Sequence, residues 1–509
     1  MFHSLLRLTS SLCKVVHLLR TVPPCFCKKA LSFFDDAIRS AFSLGTGLCF
    51  DPNSWKQVCL PFRLGGFGMR SAVLHSPGAY LASVANAANL DGWDASLATG
   101  WEEAKSDFFT FSGKDNSVFS APVPPSQKSL SYAVDQLSFD TLLESSCLRD
   151  KARLLSVSSG YSSYWLSVVP SGALNQLLDS REFCILAKFW CGLKLTSDPA
   201  PCPFCQQAMD EFGYHALTCK KGGCLGVRHN ALRKAFIHFC KIAGITNVGR
   251  ETAGLIAGSN ARPADVLLPP SCMVLPDASS SSYNCLDFAV SHTLQYLSTC
   301  ADVSAGAAAK KYEDGVKFPR YLADCFKNNL IFTPMVVEVY GAWGPASEDV
   351  FKFVSKAAGF SKLQDPDRVI GHLGTSLSFA LQRQNAITLL KHLVPSSPDL
   401  SDPVPGPSIS ANTCLSVSPP LSPLSLTSPA VPSPPLAEEP SGGCSPSAPP
   451  TEPGPRAFPP SPHLLKKKNK KSSLLPPLAL GLLRSARRPI SPTFPVEFPL
   501  VPPRSSRAT

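Results

Sequence analysis

Three strings of sequence decide how this chain is built: CPFCQQAMDEFGYHALTC at residues 202–219, RPADVLL at 262–268 and CLDFAV at 285–290. The first string has the Cys-x2-Cys…His-x3-Cys spacing of a metal-binding knuckle. The other two are short apolar runs that each carry one aspartate, as buried strands with a polar end do. Their order predicts a knuckle followed by a sheet that presents acidic side chains.

The knuckle is predicted to bind zinc, which prefers thiolate and imidazole ligands at tetrahedral angles. The predicted ligands are Cys202, Cys205, His215 and Cys219. The alternative is a set of buried thiols with a core histidine, but Pro201 and Gly213 give this stretch the composition of a loop. Cys224 is a substitute ligand for Cys219 in this interpretation.

The two acids on the apolar runs are Asp265 and Asp287. Carboxylates at neighbouring strand ends can share one Mg²⁺ through oxygen ligands. Such a metal polarises a phosphodiester and lowers the pKa of a water nucleophile. The alternative is that each aspartate is an ordinary turn residue beside its strand.

Three further residues are candidates for the same site. Lys310 and Lys311, followed by Tyr312, lie on a predicted helix at about 305–314, and a lysine there would orient water or neutralise phosphate charge. The alternative is a solvated basic helix face. Glu338 lies in the apolar string MVVEVY, where a carboxylate is costly to bury unless it is paired or metal-bound. The predicted catalytic set is therefore Asp265, Asp287, Glu338 and one of the two lysines.

The segment after the knuckle, residues 228–243, reads as an amphipathic helix with one basic side. Its predicted nucleic-acid-binding residues are Arg228, His229, Arg233 and Lys234. From 262 to 345 the pattern is strand, strand, helix, strand. That order predicts an α/β domain with a mixed sheet flanked by helices.

Composition separates the tail from the rest of the chain. Of the 49 prolines, 29 lie at or beyond Pro395, and the tail carries +5 of the net charge of +11. A Pro/Ser-rich tract of this kind cannot bury enough apolar surface to fold, so it is predicted to be disordered. Its lysine block at 466–471 predicts nuclear localisation, with the cytoplasm as the alternative, and its proline motifs suit SH3- or WW-type modules.

Most of the 19 cysteines occur singly in apolar segments with helical periodicity, which indicates reduced thiols in the cytosol or nucleus. No apolar run reaches the length of a membrane span, so no membrane partner is expected. The N-terminal 20 residues carry Arg7, Lys14 and Arg20 at intervals that break a secretory signal; a transit peptide or, better, an ordinary amphipathic helix fits them. Moderate positive charge favours polyanionic partners without choosing among them.

Taken in order, these motifs resemble the C-terminal half of non-LTR retrotransposon polyproteins. In those elements a CCHC knuckle precedes a restriction-like endonuclease of the PD-(D/E)XK class. The string LGGFG within residues 55–72 resembles the segment that follows the reverse-transcriptase palm. The resemblance implies that Asp265 and Asp287 are the metal-binding acids. Ala289 stands where the core pattern expects lysine, so the resemblance passes that role to Lys310 or Lys311.

The resemblance also implies an organisation. Residues 1–110 would be a helical segment like the reverse-transcriptase thumb, 128–198 a helical connector, 199–226 the knuckle, 227–392 the endonuclease domain and 395–509 the disordered tail. No paired-aspartate polymerase motif precedes residue 55, so polymerase activity is not expected. The expected function is a Mg²⁺-dependent endonuclease acting on DNA, with RNA as a further binding partner. The alternatives are a catalytically inactive nucleic-acid-binding relic and a zinc-stabilised scaffold acting through its tail.

Overall fold

The fold is described from a computed structural model that covers residues 2–197, 200–270, 282–295, 304–362 and 365–393, with the backbone alone at 359–362. The Pro/Ser-rich tail and the lysine block at 466–471 lie outside the described residues, so the expectations placed on them stay predictions. Among the described helices, none combines the length and apolar character needed to cross a membrane.

The first half of the chain is helical, as the sequence predicted. Its helices are α1 (Phe2–Leu5), α2 (Leu12–Thr21), α3 (Pro24–Thr46), α4 (Pro52–Cys59), α5 (Ala72–Asp91), α6 (Trp101–Ser112), α7 (Gln127–Glu144), α8 (Leu148–Val157) and α9 (Ser180–Trp190). Their ends follow local chemistry. Asp51 accepts hydrogen bonds from the first turn of α4, and Asp179 with Glu182 forms a reciprocal capping box on α9.

The LGGFG string is a buried connector between these helices. A Cβ at Gly66 would lie 1.9 Å from the carbonyl oxygen of Leu60, so only glycine allows this approach of two backbone segments. The carbonyl oxygen of Gly65 accepts hydrogen bonds from Gln57 Nε2 at 3.1 Å and Trp190 Nε1 at 2.8 Å. The string therefore links the N-terminal helices to α9.

The second half combines helices with a small sheet. The helices are α10 (Tyr214–Thr218), α11 (Cys224–Ile242), α12 (Ala307–Tyr312), α13 (Phe318–Lys327), α14 (Ala346–Lys362) and α15 (Pro366–Leu393). The strands are β1 (Gly249–Arg250), β2 (Val266–Leu268), β3 (Tyr283–Ser291) and β4 (Leu330–Glu338). Their spatial order is β1-β2-β3-β4, with β3 and β4 parallel and the other pairs antiparallel. The expected mixed sheet is present, although the described chain is mostly helical.

Helices cover both faces of this sheet. Side chains alternate along β3, so Leu286 and Phe288 pack with Phe236 of α11 in one core. Cys285, the residue before Leu286, packs with Tyr321 of α13 on the opposite face. Asp287 follows two positions after Cys285 and shares that second face. The acid is thus held between the sheet and the chain segment that leads into α13.

A single hydrophobic core joins segments that the sequence separates. It contains Phe42 of α3, Trp190 of α9, Cys202 of the knuckle and Leu389 of α15. The rings of Phe189 and Tyr340 stack at 4.3 Å between centroids across the same core. The helical half, the knuckle and the residues after β4 therefore share one interior, and their packing is interdependent.

Candidate functional sites

The four predicted knuckle residues come together. One ligand atom from each of Cys202, Cys205, His215 and Cys219 lies within 4.8 Å of the others. Cys202 Sγ is 3.8 Å from Cys219 Sγ, and Cys205 Sγ is 3.2 Å from His215 Nε2. Two thiols and an imidazole at this spacing, with a third thiol beside them, can hold a metal ion. Cys224 is not part of the group; its Sγ lies 3.7 Å from the carbonyl oxygen of Gly222.

Local hydrogen bonds position these side chains. The amide of Cys202 donates to Gln207 at 2.8 Å and that of Gln206 donates to Cys202 at 2.9 Å, which closes a tight turn. Gln206 has a φ of +63°, in the left-handed region. On the other side, Asp210 accepts from the amides of Tyr214 at 2.9 Å and His215 at 2.7 Å. That carboxylate caps α10 and fixes the histidine.

Burial and hydrogen bonding act on the thiols in opposite directions. At Cys202, burial raises the pKa, but the amides of Cys205 and Phe204 stabilise the thiolate, and the pKa falls to about 7. At Cys219, burial and the neighbouring thiols raise the pKa to about 11. A bound cation would favour the deprotonated form of both, since metal ligation requires thiolates.

Arg228 connects the knuckle to the rest of the fold. Its guanidinium donates to the carbonyl oxygen of Leu217 at 2.8 Å and to Asn385 Oδ1 of α15 at 3.0 Å. The residue is 2% exposed, and burial lowers its pKa to about 10. The expectation that Arg228 contacts nucleic acid is therefore wrong: the arginine faces inward and ties α10, α11 and α15 together.

The two predicted aspartates also meet. Asp265 immediately precedes β2, and its amide extends the ladder by donating to the carbonyl oxygen of Leu286 at 2.9 Å. Its Oδ2 accepts from the amide of Phe288 at 2.8 Å and contacts His229 Nε2 at 2.8 Å. Asp287 lies opposite it on β3 by the register of the two strands, and the two carboxyls act on each other's pKa. Strand pairing thus brings together two carboxyl groups that are 22 positions apart in the sequence.

A lysine completes this carboxylate pair, and it is Lys317. Its Nζ lies 2.7 Å from Asp287 Oδ2, and both side chains are largely buried. Lys317 ends a wide helical turn, Glu313–Lys317, between α12 and α13. We call Asp265, Asp287, His229 and Lys317 the carboxylate site.

The pKa values of the carboxylate site reflect the burial of its acids and the contacts between its charged groups. Burial raises the pKa of Asp287 to about 6, the Asp265 carboxyl adds to the rise, and Lys317 only partly opposes it. At Asp265, burial also acts upward, but the contacts from His229 and the Phe288 amide outweigh it and lower the pKa. The hydrogen bond to Asp265 raises the pKa of His229 in turn. An added cation would stabilise both acids in their charged form.

The two lysines predicted from sequence lie elsewhere. Lys310 forms an exposed ion pair with Asp314, one helical turn later, so its amine is engaged at the surface. Lys311 is the next residue of α12 and is partly buried. Because the wide turn at Glu313–Lys317 changes the helical phase, Lys317 rather than either of them reaches the acid.

Glu338 is buried, as its apolar setting predicted, but it is not part of the carboxylate site. It lies opposite Ser291, four residues along from the pairing of Asp287 with Pro334, which corresponds to about 13 Å along the strand. Its carboxyl accepts from Thr293 Oγ1 at 3.0 Å and from the amide of Ala308 at 3.0 Å. Burial raises its pKa. The expectation that Glu338 joins the two aspartates is wrong; it anchors α12 to the end of β4.

The remaining predicted nucleic-acid residues lie on two sides of α11. Arg233 forms an ion pair with Glu251, whose side chain is exposed, close to the carboxylate site. Lys234 lines a separate cavity of about 920 Å³ between α11 and α15. His229, also expected to contact nucleic acid, has its Nε2 atom 2.8 Å from Asp265 Oδ2, and its expected contact with nucleic acid stays a prediction.

Reasoning from the sequence thus missed His229 and Lys317 as members of the carboxylate site. The only available signal for His229 was its place on the polar side of a helix that precedes both acids. No sequence pattern pointed to Lys317, because the wide turn that positions it does not follow the regular helical spacing of side chains. Neither a protein-family model nor a curated protein matches this chain.

Proposed function

We propose that this chain is a metal-dependent nuclease that hydrolyses phosphodiester bonds in DNA. The observation that carries the proposal is the pairing of Asp265 and Asp287 on adjacent strands, with the amine of Lys317 on the second acid. Burial and the neighbouring carboxyl keep the pKa of Asp287 raised to about 6 even with Lys317 in contact, so a further cation would stabilise the charged pair. That arrangement suits a protein that uses the pair to bind Mg²⁺.

The residues divide the chemistry between them. Asp265 and Asp287 would hold the ion, which when bound supplies a Lewis acid for the phosphate and an acidified water. Lys317 offers a positive charge beside Asp287, where it would neutralise a phosphate oxygen or orient the attacking water. His229 orients Asp265 through its hydrogen bond and, with its raised pKa, carries a proton within reach of the site.

We further propose zinc as the ion of the Cys/His cluster, with a structural role. Three thiols and one imidazole are a closed ligand set of the kind that structural zinc sites use. The cluster lies in the shared core and contacts α11 through Arg228, so zinc binding would stabilise the helix that carries His229.

The order of knuckle, paired acids and downstream lysine supports an origin in a non-LTR retrotransposon polyprotein. Lys317 would then fill the family's lysine role in place of Lys310 or Lys311. A catalytically inactive nucleic-acid-binding relic is the second candidate. Two observations favour it: Ala289 stands in the lysine position of the core motif, and Glu338 is committed to Thr293 and Ala308.

A plasmid-nicking assay tests the proposal. Supercoiled DNA is incubated with the full chain and Mg²⁺, with and without a chelator, and relaxed product is quantified. We expect nicking that requires the metal and falls to background in Asp287→Asn. Asp314→Asn, an exposed acid of the same region, is the matched control and should nick at the wild-type rate.

Equal nicking by Asp287→Asn and wild type would show that the carboxylate site is not the source of activity. DNA binding without nicking by the wild type would favour the inactive relic. Each variant is first checked for its bound zinc and for an unchanged melting temperature, which separates loss of chemistry from loss of folding.

A further inference from the structure

A second cavity, of about 680 Å³, lies among the N-terminal helices and shares no lining residue with the carboxylate site. We call it the basic pocket. Its cationic lining residues are Arg7, Arg20, Arg63, Arg70 and Lys128. Among the described residues that line it, none is acidic. Five cations from separate parts of the chain therefore converge on one concave surface.

The positive charge of the basic pocket is only partly neutralised by a buried carboxylate. Arg63 Nη2 lies 3.1 Å from Asp135 Oδ2, and Arg70 donates to the same oxygen. Asp135 is 2% exposed, so its carboxylate is shielded from solvent and neutralises these two arginines. His75 also contacts Asp135, but burial lowers the pKa of this histidine, which keeps it neutral at physiological pH. Among the described residues, Asp135 therefore pairs with two of the five cations, and Arg7, Arg20 and Lys128 form no ion pair.

Two donors in the basic pocket have no partner. The Nε atoms of Arg7 and Arg70 are buried and make no hydrogen bond within the described part of the chain. Burial lowers the pKa of Arg7, whose guanidinium lies 4.6 Å from the centre of the Phe62 ring. A Cβ at Gly68 would lie 3.0 Å from the Arg7 stem, so this glycine makes room for the side chain. Buried, unpaired guanidinium donors are costly unless an anion satisfies them.

The rim of the basic pocket adds features that suit phosphate groups on a strand. Arg20 Nε donates to Gln127 Oε1 at 2.7 Å, next to Lys128 in the first turn of α7. The amide end of this 18-residue helix adds positive potential. The Tyr132 side chain is 53% exposed and lies under the guanidinium of Arg63 at 4.0 Å. Arginine forks bind phosphate oxygens, and exposed aromatic rings stack with unpaired bases.

We infer that the basic pocket binds the phosphate backbone of a single-stranded nucleic-acid segment. A flexible strand can place a phosphate against the recessed Arg7 and Arg70, which the stiff surface of a duplex reaches poorly. The same chemistry would accept a free phosphorylated compound, and the experiment separates the two sources. The inference does not depend on the carboxylate site or on any cleavage activity.

The test uses the full chain carrying Asp287→Asn, in buffer without divalent metal, so that cleavage plays no part. Binding of a labelled single-stranded oligodeoxynucleotide is measured by fluorescence anisotropy over a salt series. The pocket variant is Arg20→Gln with Lys128→Gln, two exposed rim cations whose removal leaves Asp135 paired. The control variant, Lys29→Gln with Lys56→Gln, removes the same charge from exposed positions outside the pocket lining.

Removing two phosphate contacts should reduce the slope of log K against log salt by about 1.4, since each contact contributes about 0.7 on single strands. We expect that change in the pocket variant and a wild-type slope in the control. Arg7→Met, which removes a recessed donor, should weaken binding further. Equal slope changes in the pocket and control variants would overturn the inference, because only bulk charge would then matter.

Calorimetric titration with inorganic pyrophosphate measures whether the basic pocket binds a free phosphorylated compound. Loss of pyrophosphate binding in the pocket variant, with oligonucleotide binding unchanged, would replace the strand with a free phosphorylated compound and overturn the inference as stated. No effect of the variant on either probe would overturn the basic pocket as a phosphate site altogether.

Discussion

The Cys/His cluster and the carboxylate site are both groups of candidate ligands, but they are assembled in different ways. The cluster draws its four residues from 18 consecutive positions, and a tight turn with a capped short helix brings them together. The carboxylate site takes one residue each from α11, the start of β2, the middle of β3 and the turn before α13. The first site therefore depends on local sequence, whereas the second exists only when the sheet and both of its covering helical layers are in place.

Removing the proposed zinc from the Cys/His cluster should have the largest effect on the molecule. The binding free energy of a structural zinc site is on the order of 10 kcal/mol, and here the ligands lie within the shared core. We expect a strong chelator, or Cys202→Ser, to lower the melting temperature of the whole described fold in one transition. Thermal unfolding followed by circular dichroism, together with the zinc content of the purified chain, measures this.

The control for the Cys/His cluster is Cys49→Ser, which alters an exposed thiol outside the cluster. It should leave both zinc content and melting temperature unchanged. A chain that binds no zinc, or that melts identically with chelator, would show that the local cluster is a set of buried thiols and a histidine.

The next effect distinguishes the lysine that the structure brings to the carboxylate site from the lysines that the sequence suggested. Lys317→Met removes the positive charge beside Asp287, and loss of one such electrostatic contact typically slows a reaction by about 100-fold or more. Lys310→Met removes a charge that pairs with exposed Asp314, so its nicking rate should stay within about twofold. Initial rates of plasmid nicking at saturating Mg²⁺ measure both.

Lys317→Arg keeps the charge and should restore part of the activity lost in Lys317→Met, which separates a chemical role from a packing role. If Lys310→Met proved to be the impaired variant, the wide turn at Glu313–Lys317 would not describe the active molecule. The assignment inherited from the sequence motif would then be the correct one.

The two sites also show what can and cannot be predicted from sequence. The ligands of the cluster, the strands at 266–268 and 286–290 and the presence of a mixed sheet follow from spacing and hydrophobic pattern, because each is a local property. The pairing of Asp265 with Asp287 was predicted and found, since carboxyls on adjacent strands meet by register. The roles of Lys317, Glu338 and Arg228 were not predicted, because each depends on helix phase, strand offset or burial that only the tertiary structure determines.

Glu338 gives a smaller and purely structural test, because this buried acid lies outside the carboxylate site that contains Asp287. Its folded-state pKa is raised by burial, so the folded chain holds a proton that the unfolded chain releases near pH 4.5. Its contribution to stability is complete below that pH and is lost as the pH rises through the folded pKa, with a slope of at most about 1.4 kcal/mol per unit. Glu338→Gln should remove this dependence, because its amide oxygen can still accept from the Ala308 amide while its NH2 group donates to Thr293 Oγ1.

The measurement for Glu338 is the free energy of unfolding in urea at several pH values, compared between wild type and variant. Glu348→Gln, an exposed glutamate of α14, is the control and should follow the wild-type curve. Metal-dependent nicking should persist in Glu338→Gln, because this residue lies about 13 Å along the sheet from Asp287. Parallel curves for wild type and Glu338→Gln, or loss of nicking, would return Glu338 to the list of functional acids.

The smallest expected change in stability comes from a substitution in the tight turn of the Cys/His cluster. Gln206 adopts a φ of +63°, which a side chain with a Cβ disfavours and glycine accepts freely. Gln206→Gly should therefore relieve strain in the folded chain, although glycine also gains freedom in the unfolded chain, and the net gain should not exceed about 1 kcal/mol. Gln207→Gly, one residue later and without a positive φ, should be destabilising by a similar amount. Urea midpoints at equal m-values measure both, and a loss of stability in Gln206→Gly would mean that the turn closes differently once a metal is bound.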